Sequence, residues 1–261
     1  TLQKATIWKL HFEYLKQNYG ISDQTIDDAY NAMAVNLSRG AARNERAVER
    51  KEYAQIAKEK GYDDVMEYMR SDYNPHITQY IRKSGSVLHN VAAGAIIVCS
   101  EDFAKSVGAK KPINVVDYAS ASNTERYPMC FHQMNVSVRD QLTANGTRLD
   151  DMDLMVTTVM TSGEQMDSTE VFGYLPAGKG CEYEIEGRTA FDGDHPVNPH
   201  GGDIRFGHSF AVSGISMLSE AILQMRGEAG GCQVKNKVNR CLVRGMGGGH
   251  TTAGIVLESK F

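Results

Sequence analysis

NPHGGDIRFGHSFAVSG, residues 198–214, sets four glycines and two histidines within seventeen residues, with Asp203 and Arg205 between the Gly pair and the Gly-His pair. Gly201, Gly202 and Gly207 stand where a side chain would obstruct a close backbone approach or a left-handed turn. Apolar residues at Val212, Ile215, Leu218, Ile222 and Met225 predict a helix over 210–226 directly afterwards. His208 therefore lies at a helix start, beside N–H groups whose dipole favours the neutral ring that a general base needs. Such a segment can do chemistry, hold a metal or simply turn the chain, and its surroundings have to decide.

Outward from this stretch the pattern is one of strands alternating with helices. LMVTTVM (154–160) predicts a strand, and 162–202 reads as a long irregular section rich in turn residues. CLVRGM (241–246) and TAGIVLE (252–258) predict two closing strands. The GGGH between them is either a plain turn or, through the N–H groups of Gly247, Gly248 and Gly249, an oxyanion-binding loop. Upstream, VAAGAIIVCS (91–100) is a continuous apolar run of the kind a strand buried on both faces needs. EDFAKSVG predicts a short helix closed by Gly108, 112–122 a further strand and 131–144 a helix. The alternation implies a layered α/β fold.

The first third reads as helical. A helix over 5–19 stops at Gly20, and Ser22, Thr25, Asp27 and Asp28 open a second, with Ala29, Met33 and Leu37 on one face. The charged tract 39–60 reads as a solvated helix supported by i,i+3 pairs such as Arg46 with Glu49, and 73–85 as the linker out of this region.

Composition limits the function classes. A formal net charge of -4 gives no basic balance to neutralise nucleic-acid phosphates. No run approaches the roughly 18 apolar residues of a membrane span, and TLQKATIWKL lacks the apolar core of a signal peptide. Five cysteines without a CxxC pair suit reduced thiols in a cytoplasm. GMGGGH fails the dinucleotide pattern at His250, and neither a GxSxG elbow nor a phosphate-binding loop occurs. His195, His200, Asp203 and His208 form the best metal-like group, but their spacing fits no standard signature, so no metal is expected.

The long ordered stretch NPHGGDIRFGHSFAVSGISMLSEAILQMRGEAG, together with GYLPAGKGCEYEIEGRTAFDGDHPVN before it, resembles the C-terminal signature of thiolases. The closer likeness is to the lipid-transfer, sterol-carrier-protein-x-like branch of the thiolase superfamily. LHFEYLKQNYGISDQTIDDAYNAMAVNLSRGAARN and VAAGAIIVCSEDFAKSVGAKKPINVVDYAS are similar to that family's earlier segments, so the resemblance covers nearly the whole chain. It implies a layered α/β/α architecture, with 1–83 a helical loop region covering the site and 84–261 a C-terminal core half. It also implies that His208 is the base, Asn198 its catalytic companion, 247–249 the closing glycine loop, and Gly201, Gly202 and Gly207 substrate-binding positions that clear space for the thioester. The family's nucleophilic cysteine belongs to a first half that these residues do not match. Gly245 stands where many thiolases carry a second cysteine, and 158–161 (Thr-Val-Met-Thr) where the family carries an Asn- or His-containing motif. Arg205 replaces a small or apolar residue; the expectation is that its guanidinium grips a carboxylate on the acyl group.

The implied activity is acyl transfer on a 3-oxoacyl-CoA by thiolytic cleavage or Claisen condensation, with a carboxylated or aromatic acyl group such as an aromatic succinyl-CoA. Coenzyme A serves as substrate and no cofactor is needed. Alternatives are a retro-aldol lyase acting on a 3-hydroxyacyl-CoA, and a non-catalytic subunit of a complex. The implied partners are a second copy of the chain, or a heteromer with a small zinc-ribbon/OB-fold subunit.

Overall fold

In a computed structural model, which describes residues 2–123, 130–247 and 251–261, the chain opens with two long helices. α1 (Leu2–Tyr19) ends where Gly20 takes a φ of 66°, and α2 (Asp23–Ala42) is capped by Ser22, whose Oγ accepts the Thr25 N–H at 3.1 Å. Phe12 and Leu15 pack against Ile26, Ala29 and Tyr30. The same cluster takes in Met166 and Cys181, so the helical region and the core share one apolar interior across residue 83.

The tract 39–60 departs from the expected solvated helix. α2 stops at Ala42, an irregular segment follows, and only α3 (Tyr53–Glu59) is helical. Arg46 pairs with Glu220 rather than Glu49, Nε to Oε1 at 2.7 Å and Nη2 to Oε2 at 2.9 Å. A buried carboxylate left without its cation is costly, and that need outweighs a surface i,i+3 pair. α4 (Val65–Arg70) packs Tyr68 and Met69 beneath α2. The turn after it is held by buried Asn74, which donates to the Met69 carbonyl and accepts from the Ser84 N–H.

Residues 91–100 form no strand. Val91, Ile97 and Val98 are 99%, 88% and 83% exposed, and no regular structure begins before α5 (Glu101–Ser106). An apolar run becomes a buried strand only when neighbouring strands accept its backbone groups, and none of the described strands lies beside this one.

The sheet comprises β1 (Ile113–Ser122), β2 (Leu154–Thr157), β3 (Arg240–Gly247) and β4 (Thr251–Ser259) in the order β1-β4-β3-β2. β4 runs antiparallel to both neighbours, β2 and β3 run parallel, and Val197 adds a parallel bridge to Met155 beyond β2. Alternation sends Met155 and Leu242 to one face, where Val138 and Leu142 of α6 (Cys130–Ala144) cover them. Leu154, Val156, Cys241 and Val243 point to the other face, onto Met217, Ala221 and Met225 of α10 (Ser213–Arg226). The result is the expected α/β/α layering. The section 162–202 is more regular than its sequence suggests, holding α7 (Ser162–Val171) and α8 (Gly180–Ile185), with the one-turn α9 (Gly202–Arg205) just beyond. No helix among the described residues is long and apolar enough to cross a membrane.

Candidate active site

His208 is buried at 5% exposure beside Asp203, whose other oxygen reaches the loop just past β2. Its backbone pairs with the strand-like segment 88–90: its N–H donates to the Leu88 carbonyl at 2.7 Å, and its carbonyl accepts from Asn90 at 3.2 Å. The helix expected to begin at 210 opens instead as a 3-10 turn, and α10 proper starts at Ser213. The groups at the imidazole are therefore side chains rather than helix N–H groups. Nδ1 lies 2.9 Å from the Ser213 hydroxyl and 3.3 Å from Asp203 Oδ1. The Ser213 Oγ also accepts the Ser209 N–H at 3.1 Å. With Nδ1 turned to these partners, Nε2 is the nitrogen that faces the other way. The His89 ring lies 5.8 Å from that of His208 and stacks on Phe210 at 5.0 Å.

Asn198, at 1% exposure and with φ 49°, sits in the same loop. Both ends of its amide are engaged within the chain: Oδ1 accepts the Thr157 N–H at 2.8 Å, and Nδ2 donates to Gln165 Oε1 at 2.9 Å. Asn198 thus ties the end of β2 to α7. The glycines clear space for protein rather than for a ligand. A Cβ on Gly201 (φ 111°) would meet Ala41 Cβ at 2.6 Å, and one on Gly207 (φ 113°) would meet the Asn90 amide at 2.6 Å. Gly202 has ordinary room against Asn198. From the other side, a Cβ on Gly40 of α2 would lie 2.0 Å from the Pro199 carbonyl oxygen, so helix and loop touch backbone to backbone.

The network continues inward from Gln165, whose Nε2 donates to Glu184 Oε1 at 2.7 Å; Thr189 and Asn36 donate to Oε2 at 2.5 and 3.3 Å. Burial pushes the Glu184 carboxyl up to about 7 despite these donors. The folded chain therefore holds this proton more tightly than the unfolded chain, where a glutamate titrates near about 4.3. Stability from this group is full at acid pH, falls as pH rises toward about 7, and is level above it, a total on the order of 3 kcal/mol. Glu184→Gln is expected to remove that slope from the melting temperature between pH 5 and 8 and to raise it at the alkaline end. An identical slope in parent and variant would count against this assignment.

The loop 158–161 is fixed by its backbone. Val159 N–H donates to Asp203 Oδ2 at 2.8 Å, Met160 N–H to Glu164 Oε2 at 2.9 Å, and Thr158 N–H to the Arg244 carbonyl at 3.0 Å. Glu164 in turn accepts Arg244 Nη1 at 2.8 Å, and Arg244 Nε donates to Asn135 Oδ1 at 3.0 Å. Arg244 is fully buried on β3. Arg205 is also buried: its Nη2 donates to the Lys51 carbonyl at 2.5 Å and its guanidinium lies over the Tyr53 ring at 4.6 Å. It clamps the irregular segment after α2 to the site loop. Gly247 ends β3 opposite Thr251, while Gly248 and Gly249 lie outside the described residues.

His195, His200, Asp203 and His208 do not converge as metal ligands. Among the described residues, the group whose ligand atoms come within 4.8 Å of one another is His11, His132 and Asp167. There His132 Nδ1 lies 2.6 Å from Asp167 Oδ1, Asn135 donates to Oδ2 at 2.7 Å, and His11 Nδ1 is 3.4 Å away. Hydrogen bonding to Asp167 holds the His132 imidazole above its ordinary value, and burial holds His11 below it. Among the thiols, Cys99 is exposed, while burial pushes Cys181 up to about 12, Cys232 up to about 11 and Cys241 higher still. Those three are apolar core residues rather than nucleophiles.

The family model described as thiolase C-terminal domain-like matches residues 116–260. This chain belongs to that family. An acetyl-CoA acetyltransferase of Methanothermobacter thermautotrophicus is 30% identical over 177 residues, 64% of this chain and 45% of the relative. The benzoylsuccinyl-CoA thiolase subunit BbsB of Thauera aromatica is 26% identical over 166 residues, 60% of this chain and 42% of its own. Sterol carrier protein 2 of Oryctolagus cuniculus is 24% identical over 247 residues, 86% of this chain and 44% of that protein. The chain thus spans less than half the length of these relatives. The solved structure of an Ltp2-ChsH2(DUF35) aldolase shares the fold, with a TM-score of 0.70 at 17% identity, covering 97% of this chain and 63% of that one. Together these give the chain the thiolase family and its fold.

The sequence picked out His208, Asn198 and the glycines but not what holds them. Asp203 was legible only as a member of a metal-like group, and Ser213, Gln165, Glu164 and Arg244 carried no spacing that marks them.

Proposed function

We propose that this thiolase-family chain supplies the base-bearing half of an acyl-CoA site, catalysing thiolytic cleavage or Claisen condensation of a 3-oxoacyl-CoA. The observation that carries this reading is the buried His208, engaged at Nδ1 by Asp203 and Ser213, which leaves Nε2 as the proton acceptor. In this reading Nε2 takes the proton of a cysteine thiol outside the described set of buried thiols. The thiolate attacks the 3-oxo carbon and the C2–C3 bond breaks, expelling the enolate of the shorter acyl-CoA, which takes up a proton. The acyl group of the enzyme thioester then passes to the thiol of free CoA, and the cysteine thiolate leaves. Asn198 acts by fixing the loop rather than by touching substrate. The developing oxyanion is assigned in this reading to the closing glycine loop that begins at Gly247. Coenzyme A is a substrate here and no resident cofactor takes part. A carboxylated, aromatic acyl group is the finer substrate proposal, supported by the benzoylsuccinyl-CoA thiolase relative. In this reading the Arg205 guanidinium, which donates to the Lys51 carbonyl and lies over the Tyr53 ring, braces the loop rather than the acyl group.

The exposed apolar run at 91–98 supports assembly with further polypeptide: the remaining half of the fold, a second copy, or a zinc-ribbon/OB-fold subunit. The setting is a cytoplasm.

Retro-aldol cleavage of a 3-hydroxyacyl-CoA is the second reading. It is favoured by the loop 158–161, which offers no amide or imidazole side chain and whose N–H groups at 158–160 are engaged within the chain. The two separate on coenzyme A. With the complete assembly, thiolysis consumes one free CoA per bond broken, whereas a lyase proceeds without it. Turnover of neither a 3-oxoacyl-CoA nor a 3-hydroxyacyl-CoA, with or without CoA, would overturn both.

A further inference from the structure

Asp203 occupies an unusual place among the buried groups. It is 5% exposed, and its two oxygens serve different elements. Oδ2 accepts the Val159 N–H at 2.8 Å, which pins the loop at the end of β2, and Oδ1 faces His208 Nδ1 at 3.3 Å. Its own carbonyl accepts the Leu88 N–H at 3.3 Å, so the residue also anchors the segment beside which His208 pairs.

A carboxylate oxygen this close to a ring nitrogen repels a lone pair there and attracts a proton. Nδ1 is then the protonated nitrogen, with its hydrogen shared between Asp203 Oδ1 and the Ser213 Oγ. A proton fixed at Nδ1 leaves the lone pair at Nε2. As Nε2 takes up a proton in the reaction, positive charge develops on the ring, and a carboxylate already in place stabilises that charge without reorganisation. The Ser213 hydroxyl, a neutral dipole, orients the ring but offers less to the developing cation.

We infer that Asp203 is a positioning residue for His208, fixing the Nδ1–H tautomer and stabilising the imidazolium while tying the base to the loop 158–161. This rests on the reading of His208 as the base. Asp203→Asn keeps an acceptor for Val159 but can present an N–H to Nδ1, which favours the wrong tautomer. In the complete assembly it is expected to lower kcat by about 10^2-fold or more while KM stays within about threefold. Asp203→Glu, which retains the charge, should recover part of the loss. The deciding measurement is the double variant. If Asp203 acts through His208, Asp203→Asn costs nothing further in a His208→Ala background.

Equal losses from Asp203→Asn in both backgrounds would make its role purely structural and overturn the proposal. A full effect from Ser213→Ala with none from Asp203→Asn would also overturn it, by assigning the tautomer to the hydroxyl. Unchanged turnover in His208→Ala alone is a different result: the base reading itself then fails.

Discussion

His208→Ala in the complete assembly is expected to lower kcat/KM by about 10^2- to 10^4-fold with the fold intact. The imidazole is buried, and its backbone hydrogen bonds to the 88–90 segment do not involve the ring, so truncation leaves the loop's frame in place. What is lost is the Nε2 lone pair, and with it the proton transfer that makes a nucleophile or releases an alkoxide. Steady-state kinetics alongside a thermal melt checks both halves of the claim. A melting temperature near that of the parent with turnover gone supports the base. Parental turnover would make the chain a scaffold on which another subunit does the chemistry.

Arg244→Met is expected to have the largest effect on stability. The guanidinium is fully enclosed on β3, and Glu164, 1% exposed, relies on it. Burial already pushes the Glu164 carboxyl above its ordinary value, with Arg244 as the main opposing influence. Removing the cation leaves a buried carboxylate without its partner, a loss of about 3–5 kcal/mol. For a chain of this length that is roughly a 6–20 °C drop in melting temperature. The sign with pH follows from the raised carboxyl: at acid pH Glu164 is neutral in folded and unfolded chains and the defect is small. As pH rises, the unfolded chain ionises freely while the folded one cannot, so the loss grows. Arg244→Met with Glu164→Leu should restore much of the stability, because an apolar pair of similar volume replaces the ion pair. A single variant that melts like the parent at pH 8 would refute the account.

The sequence showed the layers of this fold clearly and its polar interior hardly at all. β2 and β3 carry apolar runs, β4 an alternation and α10 an apolar stripe, and the helices at 2–42 have a stop at Gly20 and a cap at Ser22. α7 carries none of these signals. Ser162, Glu164, Gln165, Asp167, Ser168 and Thr169 are all buried, so its faces have no polar-apolar contrast to read. It is stable through partners distant in sequence: Arg244, Glu184, Asn198 and His132. The run at 91–100 misled in the opposite sense, since its apolar pattern describes a buried strand while none of the described strands lies beside it. In the site, glycines and a histidine stood out by type, whereas Asp203 and Ser213 gain their meaning only from lying within reach of one ring nitrogen.

The backbone contact between Gly40 and Pro199 has a consequence for how defects in this protein would be mapped. Pro199 sits between Asn198 and His200 in the loop that leads to His208, yet its carbonyl meets the backbone of a helix about 160 residues earlier, through the absence of a single methyl group. Any side chain at position 40 would displace that loop from the far side. A genetic screen for inactive alleles would therefore score position 40 beside His208, although it holds no functional group at all.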